Sequence, residues 1–262
     1  MFKKNIVFKF GGVAIGTEAE MWKKFRIILK HIDAYRKTHN IAIVVSAPAE
    51  KTRELIKTAD SLNLTGANRD RVIGLGENIT VNHFSAFLSQ NNVQNESIIY
   101  PNYPIITDDN YGDANILEVK TDIISNAFQE NKIVIVPGFV GQDENKNHTT
   151  IGLNGSDTTA IYLAKKLNAE CIFFKDVNGI YPANPKKNSG LKPFKEVHYS
   201  DVLKQAEKTE QQILHPKGIK YAWENEIILW VKPIKGQGAG TCVSSKPQKR
   251  GVKNINGVYI IN

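Results

Sequence analysis

Six stretches of the chain are apolar and rich in β-branched or aromatic residues: Asn5–Phe10, Ile41–Ser46, Ser97–Tyr100, Ile133–Pro137, Cys171–Lys175 and Ile227–Val231. Each has the length of a strand. Several are apolar at consecutive positions, the pattern of strands covered on both faces. Between the first two, Met21, Trp22, Phe25, Ile28, Leu29 and Ile32 recur at helical spacing, the stripe of a core-facing helix. The same reasoning predicts helices over Thr52–Leu62, Glu77–Ser89, Thr121–Phe128, Ser156–Leu167, Ser200–Glu207 and Pro216–Asn225. Strands alternating with helices imply a three-layer α/β/α sandwich around a parallel sheet with right-handed crossovers. The polar run Gln142–His148 predicts a hairpin tip. There is no internal repeat, heptad pattern or long linker.

A length of 262 residues suits one large α/β domain or two small ones. Apolar residues at 41% and charged residues at 23% exclude a disordered chain. No apolar run approaches the ~18–20 residues of a membrane helix, and the N-terminus is too short for a signal-peptide core. Two cysteines do not make a disulfide framework, so a reducing cytoplasm is expected. The net charge of +8 is spread along the chain. Its densest run, Lys246–Lys253, contains no aromatic residue to stack on a base, so the charge points away from nucleic acid.

In a sheet of this kind, sites form beyond the carboxyl ends of the strands. After the first strand comes Lys9-Phe10-Gly11-Gly12, where paired glycines let backbone approach an anion that Lys9 can also reach. After the second comes Ser46-Ala47-Pro48-Ala49-Glu50-Lys51-Thr52, a small polar loop that also reads as a helix start capped by Thr52. Beyond the hairpin, Gly155-Ser156-Asp157 opens a helix, and Asp157 would repel an anion unless it paired with a cation such as Lys9. After the fifth strand, Lys175-Asp176-Val177-Asn178-Gly179-Ile180-Tyr181 runs into turns reaching Lys186. His215, before Pro216, reads as a structural residue at a helix start.

Taken in order, the segments KFGG (Lys9–Gly12), VVSA (Val44–Ala47), GE (Gly76, Glu77), PGF.G (Pro137–Gly141), GSDTTA (Gly155–Ala160), DV.GIY (Asp176–Tyr181), LHP (Leu214–Pro216) and GT (Gly240, Thr241) resemble the amino-acid kinase family, and within it the aspartate kinases. The resemblance implies a carbamate-kinase-like fold and transfer of phosphate from ATP, with Mg2+ carried by its phosphates, to the side-chain carboxylate of aspartate. A family kinase acting on another small acid, or a nucleotide-binding sensor without turnover, are the alternatives. It places Lys9, Gly11 and Gly12 at the transferring phosphoryl group, with Asp157 orienting Lys9. Ser46, Thr52, Glu77 and Ser156 then line the amino-acid pocket, while Lys175, Asp176, Tyr181 and Lys186 lie near the nucleotide. It implies a catalytic domain over residues 1–245, with an acceptor-side lobe to about 150 and a nucleotide-side lobe beyond. It also implies a homodimer and makes the tail, 246–262, a remnant of the start of an ACT module, in which Gly257–Ile261 reads as one strand. Departures from the family pattern are Leu153 for a carboxylate-gripping arginine, Gln212 for a phosphate-facing lysine, Lys175 for threonine and Ala14 for serine. Lys51 and then Arg53 are the cations expected to replace that arginine, and Lys175 the missing lysine.

Overall fold

A computed structural model describes residues 3–152, 155–183, 185, 188, 190–208, 214–236, 238–245, 252–255 and 258–261. Strand β1 (Lys4–Phe10) leads through a single turn, α1 (Gly12–Ile15), into α2 (Met21–Tyr35) and β2 (His39–Val45). Helices α3 (Lys51–Ser61), α4 (Gly66–Ile73) and α5 (Leu75–Gln90) precede β3 (Asn95–Ser97). Strands β4 (Ile105–Thr107) and β5 (Ile116–Val119) start a small second sheet. Then α6 (Asp122–Gln129) and β6 (Ile133–Pro137) return to the first, and β7 (Val140–Gln142) and β8 (His148–Thr150) complete the second. Next come α7 (Gly155–Lys166), β9 (Glu170–Lys175), β10 (Glu196–His198), α8 (Tyr199–Lys208), α9 (Pro216–Glu224), β11 (Leu229–Pro233) and β12 (Thr241–Ser244). The last elements are β13 (Val252–Ile255) and β14 (Val258–Ile261), paired antiparallel where the sequence suggested a single strand.

The main sheet of the described residues has the order β10-β12-β11-β9-β1-β2-β6-β3. Its pairs are parallel except β11 with β12. The chain fills one side of β1 in its first half and the other side in its second, so β1 lies at the switch point. Side chains of a strand alternate between faces. Ile6, Phe8 and Phe10 pack with Phe25, Ile28 and Ile32 of α2 and Phe84 and Leu88 of α5. Val7 belongs to the opposite core, with Ala160, Ile161 and Ala164 of α7. Burial of each such Phe or Ile stabilises by about 1.5–3 kcal/mol. The alternation therefore delivers Lys9, two residues past Val7, to the α7 side.

The predicted α/β/α sandwich is the observed architecture, and the strands and helices read from the apolar pattern all form. Strand β3 sits two to three residues earlier than Ser97–Tyr100. Ile98 is buried, but Ile99 and Tyr100 are exposed in a turn closed by Asn102 N–H on the Ile99 carbonyl. The polar run 142–148 turns between β7 and β8, its tip held by Asp143 accepting from the Asn147 amide at 2.8 Å. The start of α3 differs from expectation. Glu50, at φ 67°, is the capping position, no side chain caps the helix, and Thr52 lies inside the first turn.

Candidate active site

A cleft of about 610 Å3 opens beyond the carboxyl ends of β1, β2 and β9. Its wall brings together Lys9, Gly11, Gly12, Ser46, Thr52 and Glu77 from the first half of the chain with Ser156, Asp157, Lys175 and Asp176 from the second. Tyr181 is not part of that wall; it is half-buried beyond the Gly179 turn, where its carbonyl accepts from Gln205 Nε2 at 3.3 Å. Lys186, Leu153 and Gln212 lie outside the described residues.

The floor is an ionic triad. Lys9 Nζ lies 2.7 Å from Asp157 Oδ1, and the two side chains are 6% and 7% exposed. Lys175 Nζ lies 3.4 Å from Asp157 Oδ2. Strand pairing explains the convergence, because β1 and β9 are neighbours and both lysines sit at or next to the strand ends. Burial works against ionisation of Asp157, but the charges of Lys175 and Lys9 prevail and hold its carboxyl below the ordinary value. Burial lowers the pKa of Lys175, opposed by Asp157. Two lysines facing one aspartate make the floor a setting for an anion. A side chain at Gly11 would begin 3.0 Å from Lys9 Nζ, so glycine keeps space for the ammonium.

Opposite the triad the cleft presents two serine hydroxyls and a buried carboxyl. Ser46 Oγ and Ser156 Oγ are 2.8 Å apart, joining the loop after β2 to the start of α7. That approach requires Gly138, where a methyl group would run into the Ser156 side chain. Glu77 in the first turn of α5 accepts from the Ala47 amide at 3.1 Å through Oε1, while Oε2 has no hydrogen-bond partner among the described residues. Burial pushes its pKa up to about 8, against the Ala47 hydrogen bond and the charge of Lys9. A buried carboxylate facing a cleft suits a substrate ammonium, which would supply the missing partner.

His215 also reaches the cleft, 3.4 Å from Thr158 Oγ1 through Nδ1. Burial lowers its pKa, which leaves the ring neutral near pH 7. In sequence it is one histidine before a proline; only the packing of α9 beside α7 reveals its place. Lys51 points elsewhere. Its ammonium lies 2.7 Å from Glu18 and 2.8 Å from Glu54, away from the cleft wall. Arg53 lines the mouth of the cleft.

A family model for the amino acid kinase family matches residues 4–232. The chain belongs to the amino acid kinase family. Among its curated relatives are an aspartokinase of Bacillus sp. (strain MGA3), 30% identical over 246 residues, and aspartokinase 2 of Bacillus subtilis (strain 168), 29% identical over 244. Each alignment takes in 92% of this chain but 58% or 59% of the relative, so the chain spans under two-thirds of their length. Aspartate kinase from Synechocystis superposes with a TM-score of 0.78 at 26% identity, over 94% of this chain and 40% of that one. E. coli aspartokinase III in complex with aspartate and ADP gives 0.78 at 21% identity, over 94% and 65%. UMP kinase from Ureaplasma parvum gives 0.63 at 17% identity, over 94% and 100%, a likeness of fold.

Proposed function

We propose that this chain transfers the γ-phosphoryl group of ATP to the side-chain carboxylate of aspartate. The observation that carries the reading is the Lys9–Asp157–Lys175 triad, set in one cleft with Ser46, Thr52, Glu77 and Ser156. Aspartokinase relatives support the choice of acceptor. An acceptor carboxylate oxygen attacks the γ-phosphorus while the bond to the bridging oxygen breaks, and ADP leaves with the electron pair. Such a step needs alignment and neutralisation of charge more than covalent help. Lys9 and Lys175 supply the neutralisation; Asp157 orients them; Gly11 and Gly12 give the phosphates room. Glu77 receives the acceptor's ammonium, with the Ser46, Thr52 and Ser156 hydroxyls around it. No three His, Cys, Asp or Glu side chains among the described residues form a metal cluster, and Asp157 is committed to two ammoniums. In this reading magnesium enters on the nucleotide phosphates.

The same reading makes 1–150 the acceptor side, 151–245 the nucleotide side and 246–262 the start of a further module, in a cytoplasmic homodimer. The buried thiols of Cys171 and Cys242 suit a reducing compartment. The test is ADP release with a panel of carboxylic amino acids, with hydroxylamine trapping of the acyl phosphate. Aspartate should give both ADP and hydroxamate. ATP binding without turnover on any acceptor would favour a nucleotide sensor, and turnover on a different acid a sister kinase.

A further inference from the structure

We propose that Arg53 is the residue that grips the α-carboxylate of the acceptor and so sets specificity for an amino dicarboxylate; the inference rests on the phosphoryl-transfer reading above. The acceptor brings an ammonium, for Glu77, and two carboxylates. One carboxylate is the nucleophile, and it must face the phosphate above Lys9 and Lys175. The other needs its own cation, because a carboxylate left unpaired in the cleft is costly.

The cations of the described cleft wall are few. Lys9 and Lys175 are both drawn to Asp157 on the buried floor. His215 is neutral near pH 7, and Lys51 lies outside the wall, clamped between Glu18 and Glu54. Arg53 remains. It follows Thr52 directly, lines the cleft, and pairs with one residue, Glu50, at 2.8 Å. Arg53 and Glu50 are 78% and 72% exposed. An exposed pair of this kind is weak and exchanges readily. The fork of a guanidinium also matches a carboxylate in a bidentate way that an ammonium does not.

Local backbone geometry supports the assignment. Glu50 adopts φ 67°, a left-handed conformation uncommon outside glycine. The loop before it is pinned by the Ala49 amide on the Gly16 carbonyl at 2.9 Å. These constraints start α3 at Lys51, with Thr52 and Arg53 of its first turn on the cleft wall.

The experiment pairs two acceptors with two proteins: aspartate and its α-amide, with the wild-type chain and Arg53→Gln. Arg53→Gln should raise the KM for aspartate at least about tenfold, the loss of one charge-assisted contact. The KM for ATP and the kcat should stay within about twofold. The α-amide lacks the second carboxylate, so its KM should be the same for both proteins. Arg53→Lys should recover part of the aspartate KM. An unchanged aspartate KM in Arg53→Gln, or an equal rise with aspartate and α-amide, overturns the proposal. Calorimetric binding of aspartate separates the carboxylate grip from the phosphoryl transfer. Arg53-dependent binding without turnover keeps the grip and sinks the phosphoryl-transfer reading. Turnover with an Arg53-independent KM does the reverse, and no aspartate binding at all defeats the assignment of Arg53.

Discussion

Lys9 stands 2.7 Å from Asp157 and is almost wholly removed from solvent, so its charge is held at a fixed point instead of sampling water. Charge preorganised in this way acts most strongly on a transition state. Lys9→Ala should lower kcat by about 100-fold or more, with a smaller change in the KM for ATP, since Lys175 still offers an ammonium. Steady-state kinetics with ATP varied decides this, and unchanged turnover removes Lys9 from the reaction. Glu77 carries a pH signature. Its pKa in the fold, about 8, lies above that of a free carboxylate. The folded state therefore holds a proton that the unfolded chain releases, and stability is lost as pH rises from the unfolded value through about 8. Glu77→Gln should raise the melting temperature relative to wild type by an amount that is near zero at pH 4 and grows until about pH 8. The KM for the acceptor should fall over the upper part of the same range, as the carboxylate forms that meets the ammonium. A melting difference independent of pH would show that Glu77 is not the protonated group.

At the scale of elements, the loop after β6 and the start of α7 meet at Gly138 and Ser156. Gly138→Ala must push them apart, which should cost about 1–3 kcal/mol as overpacking does, and lengthen the Ser46–Ser156 contact. Thermal unfolding together with the acceptor KM checks it; a variant with wild-type values for both would show that α7 can shift freely. The elements legible in sequence were those with enough residues to show a period. β1, β2, β6 and β9 declare themselves by consecutive apolar positions, and α2 by its stripe. Strands β4, β7 and β8 have three residues each, too few for alternation to register, so the small sheet escaped. Helix α4 escaped because it opens on Gly66-Ala67-Asn68-Arg69, with little apolar signal. Ile99 and Tyr100 misplaced β3 because their apolar character serves a turn, not a ladder. In the site, the glycine pair and the Gly-Ser-Asp segment were legible through resemblance, and Asp157 through the need for a cation. The competition for Lys51 by Glu18, thirty-three residues earlier, and the left-handed Glu50 are products of packing that no local pattern announces.

For the whole molecule, the +8 charge acts at a distance. On the proposed reading both substrates, ATP and aspartate, are anions, so the field should speed their encounter and weaken with salt. The value of kcat/KM for ATP should fall as ionic strength rises from about 0.01 to 0.15 M, while kcat changes little. A flat salt dependence would mean that the lysines form only a solvated coat.

The place of β1 has a further consequence. It is flanked on both sides within the sheet, by β2 and β9, while β3 and β10 form the borders. Amide hydrogens in such a strand exchange only when much of the domain opens, whereas borders fray at small free energies. Lys9 is thus built into the slowest-exchanging part of the chain. Partial denaturation should loosen β3 and β10 first and leave the Lys9–Asp157 pair standing, so that the chemistry outlasts the rim of its own fold.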